Sequence, residues 1–270
     1  MDLINRAKEI IFDADAILIT AGAGMGVDSG LPDFRGDSGF WREYPAIKNL
    51  GLSFVDMANP QWFINKPSLA WAFYGHRLNL YRKVVPHQGF NNLLELSKDK
   101  KYGCFIFTSN IDGQFQKAGF DKRTIMECHG SIHHLQCVDR CSDEIWLADN
   151  TDIEIDKNFR AKEPLPKCKN CGKLARPNIL MFNDFSWIYK RTDRQRDRLT
   201  KWIDNIEASN SKLAVIEFGA GTAVPTVRNI SQQISKRFDT PLIRVNPKES
   251  LNAEIGIELG ALEAILKIVD

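Results

Sequence analysis

The sequence predicts an α/β fold: a doubly wound, Rossmann-like parallel sheet that carries a small zinc-binding module and a helical insertion. Short apolar runs, each followed by a loop of Gly, Asn, Ser or Thr, predict parallel strands whose carboxyl ends line one ligand crevice. Two close cysteine pairs predict the zinc module, and an aromatic-rich segment broken by prolines predicts the helical insertion. The apolar runs are residues 16–20, 104–108, 213–218 and 242–245.

Length and composition fit one large domain with a smaller insertion. The chain has 270 residues, of which 43% are hydrophobic and 26% are charged. Its 36 basic and 34 acidic residues nearly balance, so we expect no membrane binding and no direct nucleic-acid substrate. The N-terminus has the pattern of an amphipathic helix and lacks the basic start of a secretion signal. A cytoplasmic location is therefore expected, with the nucleus left open.

The first apolar run leads into a loop with the character of a phosphate-binding loop. It carries Gly22, Gly24, Gly26 and Gly30, which allow the backbone to approach a pyrophosphate closely, and a helix is expected to begin near Met25. The spacing is not Gly-x-Gly-x-x-Gly, and no second strand ends in an acidic residue about 20 positions further on. The pattern therefore disfavours an ordinary dehydrogenase.

The loop continues into Pro32-Asp33-Phe34-Arg35. A Gly-Ala-Gly loop followed by Pro-Asp-Phe-Arg closely resembles the sirtuins, the NAD-dependent protein-lysine deacylases. The resemblance implies that this stretch binds NAD and that Phe34 shields the ribosyl intermediate from returning nicotinamide. The cofactor-binding residues implied here are Gly22, Ala23, Gly24, Asp33, Phe34 and Arg35.

Residues 37–87 are rich in aromatic side chains and correspond to the sirtuin module that covers NAD and the acyl chain. Ser68 is expected to cap a helix running to about Arg82. Within this helix, Tyr74 and Arg77 resemble the Tyr-x-x-Arg pair by which some sirtuins hold acidic acyl groups, since a guanidinium and a phenol can grip a carboxylate. The alternative is that Arg77 is a solvated residue paired with a surface acid.

The second apolar run ends in Thr108-Ser109-Asn110-Ile111-Asp112, where sirtuins carry Thr-Gln-Asn-Ile-Asp. The resemblance places Ser109, Asn110, Ile111 and Asp112 around the nicotinamide and its ribose, although Ser109 replaces the family glutamine. As structure alone, these residues are turn formers.

His129 stands in a His-Gly pair 19 residues beyond Asn110, as the family's catalytic histidine does. A neutral imidazole can accept a proton near pH 7, which a base acting on a ribose hydroxyl requires. Glu127 could orient this ring.

The four cysteines Cys137, Cys141, Cys168 and Cys171 form two pairs with a spacing typical of zinc ligands. Four sulfurs leave no open coordination position, so the site is predicted to be structural. The competing interpretation, two disulfides in a secreted protein, has no signal peptide to support it. Between the pairs, residues 149–166 are polar and predict a long exposed loop or a short hairpin.

Residues 176–184 resemble the sirtuin strand that pairs with the extended substrate peptide. The substrate contacts implied are Ile179, Met181 and Phe182. Asn183 and Asp184 replace the family's Gly and Glu, which could retune the peptide cleft. The basic stretch 190–201 predicts a solvated helix face.

The last two runs end in loops that resemble the sirtuin contacts to the adenosine half of NAD. The residues implied are Gly219, Gly221, Thr222, Asn246, Gly260 and Ala261. The predicted division is an NAD-binding domain of residues 1–36, 88–135 and 175–270, a cofactor loop and helical module of residues 37–87, and a zinc module of residues 136–174.

The resemblance implies an NAD-dependent deacylase that acts on an acylated-lysine protein or peptide, with NAD as co-substrate and Zn²⁺ as a structural ion. The acyl oxygen would attack the nicotinamide ribose, and the products would be nicotinamide, free lysine and O-acyl-ADP-ribose. His129 would act as base while Asn110 positions a water or the ribose. The acyl group could be acetyl, succinyl or malonyl.

Two other classes of function stay open. The first is protein mono-ADP-ribosylation or NAD hydrolysis on the same fold, because Ser109, Asn183 and Asp184 depart from the family pattern. The second is a nucleotide-binding module without useful turnover. A base beside the ribose argues against that second class, since a pure binder has no need of one.

Overall fold

A six-stranded parallel sheet organises the chain. The computed structural model describes residues 2–33 and 36–270. Its strands follow the order β3-β2-β1-β7-β8-β9, and every neighbouring pair is parallel. The strands of the chain are β1 Ala16–Ala21, β2 Cys104–Thr108, β3 Ile125–Glu127, β4 Gly130–Cys137, β5 Ile145–Leu147, β6 Ala175–Ile179, β7 Leu213–Phe218, β8 Leu242–Val245 and β9 Ile255–Ile257.

The helices cover both faces of this sheet and form a separate layer beside it. Two 3₁₀ helices, Ala23–Ser29 and Lys122–Thr124, join them. The α-helices are α1 Leu3–Asp13, α2 Gly36–Glu43, α3 Pro45–Lys48, α4 Phe54–Met57, α5 Gln61–Asn65, α6 Pro67–Lys83, α7 Gln88–Lys98, α8 Gln114–Lys117, α9 Lys190–Ala208, α10 Thr226–Arg237 and α11 Ala261–Val269.

Alternate residues of β1 point to two different cores, which is what a doubly wound sheet requires. Ile17 and Ile19 pack with α1, α7 and α11 on one face. Leu18 packs with α9 and α10 on the other. If only the strands of this sheet are numbered along the chain, their order is 3-2-1-4-5-6, which is the order of the dinucleotide-binding fold. The direction of the connections reverses between β1 and β7. The predicted fold class is confirmed.

The four predicted strands are present, but the two edge strands were not predicted. β3 and β9 are each three residues long, so they are too short to show a periodic pattern in the sequence. Likewise, the predicted helix at Met25 is instead the 3₁₀ helix that starts at Ala23.

A third core joins the helical insertion to the cysteine module. An antiparallel sheet of order β5-β4-β6 packs its apolar residues with those of α2 to α6. Trp71 lies at the centre of this core and donates to the Ala175 carbonyl over 3.0 Å.

The stretch 149–166 docks on α6 instead of lying exposed. Ile155 and Ala161 form a β-bridge, as a hairpin would, but Ile153 and Leu165 are buried in the shared core. The expected cap at Ser68 is wrong: its hydroxyl donates to the Ala161 carbonyl over 2.8 Å, and α6 begins one residue earlier, at Pro67. The hydroxyl therefore fastens this stretch to the helix.

Candidate active site

The glycine loop after β1 and the loop after β7 touch through their backbones. Gly24 N–H donates to the Gly219 carbonyl over 3.0 Å. A Cβ on Gly22 would lie 2.8 Å from Ala220 Cα, and one on Gly219 would lie 2.4 Å from Gly24 Cα. Both positions therefore require glycine, and Gly219 also has a φ of +58°. These two loops meet where the strand order reverses, which is where doubly wound folds bind nucleotides.

The loop after β2 is fastened to the same place. Asn110 Nδ2 donates to the Gly22 carbonyl over 2.9 Å, and Ser109 N–H donates to the Ala21 carbonyl over 3.1 Å. The residue that replaces the family glutamine thus holds its position through its backbone. The predicted cofactor residues of two separate strands lie side by side.

Asp112 is a buried carboxyl group two residues further on, and it is 9% exposed. Burial raises its pKa to about 6, against the opposing effect of the hydrogen bond from Gln114 N–H to Oδ1. No ion-pair partner for it occurs among the described residues. The charge of Arg77 lowers the pKa only in part. A buried carboxyl group with a strongly raised pKa is a common sign of a ligand-binding position.

His129 lies in the short connection between β3 and β4, beside the loop after β2 that carries Ser109 and Asn110. Burial lowers its pKa, and a hydrogen bond to the Ser109 backbone opposes part of that shift. The ring is therefore neutral at pH 7, which is the form that accepts a proton. The structure brings His129 together with the loop of Ser109 and Asn110.

Glu127 does not orient His129. Its carboxylate forms an ion pair with Arg191 of α9 and also accepts from Gln195 Nε2. Its own carbonyl accepts from the hydroxyl of Thr192. The side chain faces α9, so the hypothesis drawn from its nearness in sequence to His129 is wrong.

The loops after β7 and β8, which carry most of the predicted adenosine contacts, meet around Ala220. Buried Asn246 donates from Nδ2 to the Ala220 carbonyl over 3.0 Å, and its Oδ1 accepts from the N–H groups of Lys248 and Glu249. Thr222 binds Glu249 through its hydroxyl over 2.8 Å. Asn246 therefore shapes this loop cluster as well as bordering it.

Gly260 and Ala261 lie at the N-terminus of α11, beside the 3₁₀ helix of the glycine loop. Asp28 Oδ2 accepts from Leu262 N–H over 2.9 Å, and a Cβ on Gly260 would lie 3.4 Å from that same oxygen. The last helix is thereby fixed to the first loop.

Arg228 of α10 was not singled out from the sequence. Its Nε donates to the Ala220 carbonyl and its Nη2 to the Glu249 carbonyl, so it ties the two adenosine-side loops together. Nothing in the local pattern around residue 228 indicates this, because both acceptors are backbone groups brought near by the fold.

Asp33 lies half-buried after the 3₁₀ helix. The two predicted cofactor residues that follow it, Phe34 and Arg35, lie outside the described residues. Ile111 is 7% exposed and belongs to the core shared by the helical insertion and the cysteine module.

Tyr74 and Arg77 belong to α6, and both side chains are buried in the protein. The interpretation of Arg77 as a solvated surface residue is therefore wrong. The guanidinium lies 5.8 Å from the Tyr74 ring centroid and 5.3 Å from that of Phe73. It donates to the Tyr81 hydroxyl from Nη2 over 3.0 Å. A cation surrounded by aromatic faces and phenols is the chemistry expected for an acidic acyl group.

The predicted peptide-binding strand continues past β6. Ile179 and Met181 are buried, and Phe182 is 36% exposed. The N–H groups of Leu180 and Phe182 donate to the carbonyls of His129 and Ala58. In this conformation these two N–H groups are engaged, so pairing with a peptide would use other backbone groups of the segment.

The departures at Asn183 and Asp184 have structural reasons. Asn183 has a φ of +56°, a left-handed conformation that Asn tolerates where the family carries Gly. The Asp184 carboxylate forms a two-point ion pair with Arg176, and both side chains are fully buried. Asp184 therefore acts inside the loop and does not face a substrate.

The four predicted metal ligands come together at one end of β4. Their Sγ atoms all lie within 4.8 Å of one another, with Cys137 to Cys171 and Cys141 to Cys168 at 3.6 Å. Tetrahedral Zn–S bonds of about 2.3 Å place sulfur atoms about 3.8 Å apart. All four are free thiols, and the cluster fits a structural Zn²⁺ ion.

The described helices include none with the length and apolar content that crossing a bilayer demands.

Comparison with known proteins shows one family. The Sir2 family model matches residues 22–216. An NAD-dependent protein deacylase of Pyrococcus abyssi is 32% identical over 182 residues, covering 67% of this chain and 66% of the relative. NAD-dependent protein deacylase 1 of Archaeoglobus fulgidus is 26% identical over 246 residues, covering 91% and 87% of the two chains.

The chain spans about two thirds of the length of the first of these curated relatives. Among solved structures, a Sir2 homologue in complex with NAD has a TM-score of 0.75 at 23% identity, covering 100% of this chain and 93% of that one. That likeness supports the fold described above.

Proposed function

The chain belongs to the Sir2 family, and on that premise we propose that it is an NAD-dependent protein-lysine deacylase. The observation that carries this proposal is the placement of His129 beside Ser109 and Asn110, at the point where the glycine loop meets the loop after β7. A binding module needs the loops but not the base.

NAD, consumed as co-substrate, would supply an electrophilic ribose carbon and a nicotinamide leaving group. The glycine loop and the Gly219 loop would hold its phosphates, because their glycines let the two backbones meet at the point where doubly wound folds bind nucleotides. Asp112 would accept from the nicotinamide amide, and Asn110 would position the ribose or a water.

His129 would take a proton from a ribose hydroxyl. Its depressed pKa keeps the ring neutral at pH 7, so it is ready to accept that proton, and its hydrogen bond to the Ser109 backbone fixes its orientation. After nicotinamide has left and the acyl oxygen is bonded to the ribose, the deprotonated hydroxyl would attack the acyl carbon. Addition of one water would then break the carbon–nitrogen bond, which would give the lysine amine and O-acyl-ADP-ribose.

The proposed substrate is an acylated lysine on a protein or peptide. Arg77, with the phenols and phenyl groups around its guanidinium, would bind the carboxylate of the acyl chain, which supports an acidic acyl group such as succinyl. The near-neutral net charge supports the absence of a nucleic-acid or membrane substrate.

The test is the variant His129→Ala with NAD and a panel of acetyl- and succinyl-lysine peptides. We expect lysine product to fall by at least about a hundredfold while nicotinamide release falls much less, because the base acts after nicotinamide leaves. Mass spectrometry of the peptide and of the ADP-ribose products measures both.

His134→Ala is the matched control, since this histidine lies outside the crevice and should leave both rates unchanged. Equal loss of both products in His129→Ala would contradict the assigned role. Nicotinamide release with unchanged peptides, or ADP-ribose attached to protein, would replace deacylation with NAD hydrolysis or ADP-ribosylation.

A further inference from the structure

A second cavity lies on the other side of the Asp112 loop, between the hairpin of β4 and β5 and the first turns of α9. Its volume is about 890 Å³, within the size range of small-molecule sites. Asp112 and Gly113 border it, but the predicted cofactor residues Gly22, Asn110 and Gly219 and the base His129 do not. We call this cavity the hairpin groove.

The hairpin groove is cationic, although the whole chain is nearly neutral. Seven Lys or Arg and four Asp or Glu residues line it. Two of the acids are engaged at its edge: Asp143 pairs with Arg140 over 3.2 Å, and Glu144 accepts from Asn170. The excess positive charge therefore faces the groove.

Three of these cations are available to a ligand. Lys122, Lys190 and Arg194 are exposed, and no described residue gives their side chains a hydrogen bond or an ion pair. Lys122 begins the second 3₁₀ helix, and Lys190 and Arg194 lie in the first two turns of α9.

Two further polar atoms in the groove wall are buried without a partner among the described residues. These are Nη1 of Arg191, whose Nη2 binds Glu127, and Nδ1 of His134. Leaving a buried polar atom unpaired destabilises the fold, so such atoms usually have a ligand or water as partner.

Two aliphatic side chains also line the groove. These are Ile145 and Leu147 of β5, and Leu147 is 56% exposed. Cations together with aliphatic side chains fit a small molecule with anionic groups and a less polar body. Guanidinium and ammonium groups gathered in one concavity are the usual recognition elements for phosphate.

We propose that the hairpin groove, which shares only Asp112 with the predicted NAD-binding residues, is a second binding site for a small molecule that carries two or more phosphate groups. Lys122, Lys190 and Arg194 bind the phosphates, with Arg191 and His134 completing the shell. This assignment does not depend on the deacylase activity.

The test measures binding of inorganic triphosphate to the full chain by isothermal titration calorimetry, with and without saturating NAD. The groove variant is Lys122→Gln/Lys190→Gln/Arg194→Gln. The control variant is Lys157→Gln/Lys201→Gln/Lys236→Gln, which removes the same charge from exposed lysines that are absent from the groove lining and have no described partner.

We expect one triphosphate per chain, bound equally with and without NAD. Its affinity should be at least about tenfold weaker in the groove variant and unchanged in the control. Loss of binding with NAD would move the triphosphate to the crevice and overturn the proposal, as would equal weakening in both variants. Displacement of triphosphate by a 20-nucleotide single strand that binds more tightly would replace the small molecule with nucleic acid.

Discussion

Asp112 shows at the residue scale how a ligand position is kept at a cost in stability. Its carboxyl group is buried, receives hydrogen bonds from the backbone N–H groups of Gln114 and of Asp112 itself, and still has a pKa raised to about 6 by that burial. An amide of the same shape would avoid the cost of burying a charge. A residue that destabilises the free protein but remains in the crevice is one whose partner is the ligand.

We therefore predict that Asp112→Asn stabilises the protein and removes NAD-dependent turnover. The folded pKa lies above the unfolded value, so the folded state binds more protons between pH 4 and pH 6 and the wild type loses stability as the pH rises through that window. The free energy of unfolding of the variant should equal that of the wild type near pH 4 and exceed it by at most about 3 kcal/mol above pH 6. Urea unfolding at several pH values measures it.

The exposed Asp152→Asn is the control and should shift neither stability nor turnover. If Asp112→Asn were less stable than wild type at pH 7, the carboxylate would be a stabilising group, and the account of its burial would be wrong.

Gly219 and Gly221 offer a matched pair within one loop. A Cβ on Gly219 would lie 2.4 Å from the Gly24 backbone at a φ of +58°, whereas the atom nearest a Cβ on Gly221 is Glu249 Oε2 at 3.9 Å. We predict that Gly219→Ala forces the two loops apart and lowers the free energy of unfolding by about 2 kcal/mol. The affinity for NAD should fall at least tenfold.

Calorimetric titration with NAD and thermal unfolding measure the two effects. Gly221→Ala should leave both close to wild type. Similar behaviour of the two variants would mean that contact between the loops does not shape the NAD site.

At the scale of elements, the docking of residues 149–166 on α6 decides how the helical insertion is held. Side chains of α6 donate to its carbonyls: Ser68 to Ala161, Asn79 to Ile153 and Arg82 to Thr151. Arg82 also donates to the carbonyl of Ala148, just before the segment. The segment is polar in sequence, yet its few apolar residues face the helix. It acts as a brace for the helix that carries Tyr74 and Arg77.

Gly75 is where the brace and the helix approach most closely. A Gly-to-Ala change inside a helix ordinarily stabilises by about 0.5–1 kcal/mol. Here the new Cβ would lie 2.3 Å from Ile153 Cγ2, so we predict that Gly75→Ala destabilises by about 1–3 kcal/mol.

A double-mutant cycle in urea separates the two effects. Ile153→Ala should destabilise the wild type but relieve the Gly75→Ala variant, giving a favourable coupling energy. Additive effects would show that the brace moves freely on the helix.

At the scale of the whole molecule, the apolar residues divide into three clusters. One cluster lies on each face of the parallel sheet. The third joins the helical insertion, β4 to β6 and the cysteine module. Cys137 and Cys168 belong to that third cluster. The zinc site and the helical insertion therefore share one core, to which Ile111 of the loop after β2 also belongs. Met25 of the glycine loop and Ala220 of the loop after β7 pack in the other two.

We predict that zinc removal loosens this third core and leaves the parallel sheet folded. One Zn²⁺ per chain should be released by a chelator, and Cys171→Ser should bind substantially less. Hydrogen exchange should then rise in residues 40–83 and 130–181 but not in β1 or β7. Cys128→Ser, outside the cluster, serves as control, and a single cooperative loss of the whole fold would contradict the division.

The sequence alone determined the parallel sheet, the glycine loops, the cysteine cluster and the family. These depend on local patterns: an apolar run, a glycine where a Cβ cannot fit, or a cysteine spacing can be recognised within a few residues. The same patterns predicted Gly22, Gly219 and the four cysteines, and the structure brings each set together.

Only the tertiary structure decided the pairings between distant residues. Glu127 binds Arg191 instead of His129, Asp184 turns inward to Arg176, and Ser68 fastens the insertion to its helix instead of capping it. The hairpin groove gathers cations that lie up to 116 positions apart in sequence, at Arg82 and Arg198. A side chain's partner depends on which elements pack together, and that is set by the burial of three separate cores, which no local pattern encodes.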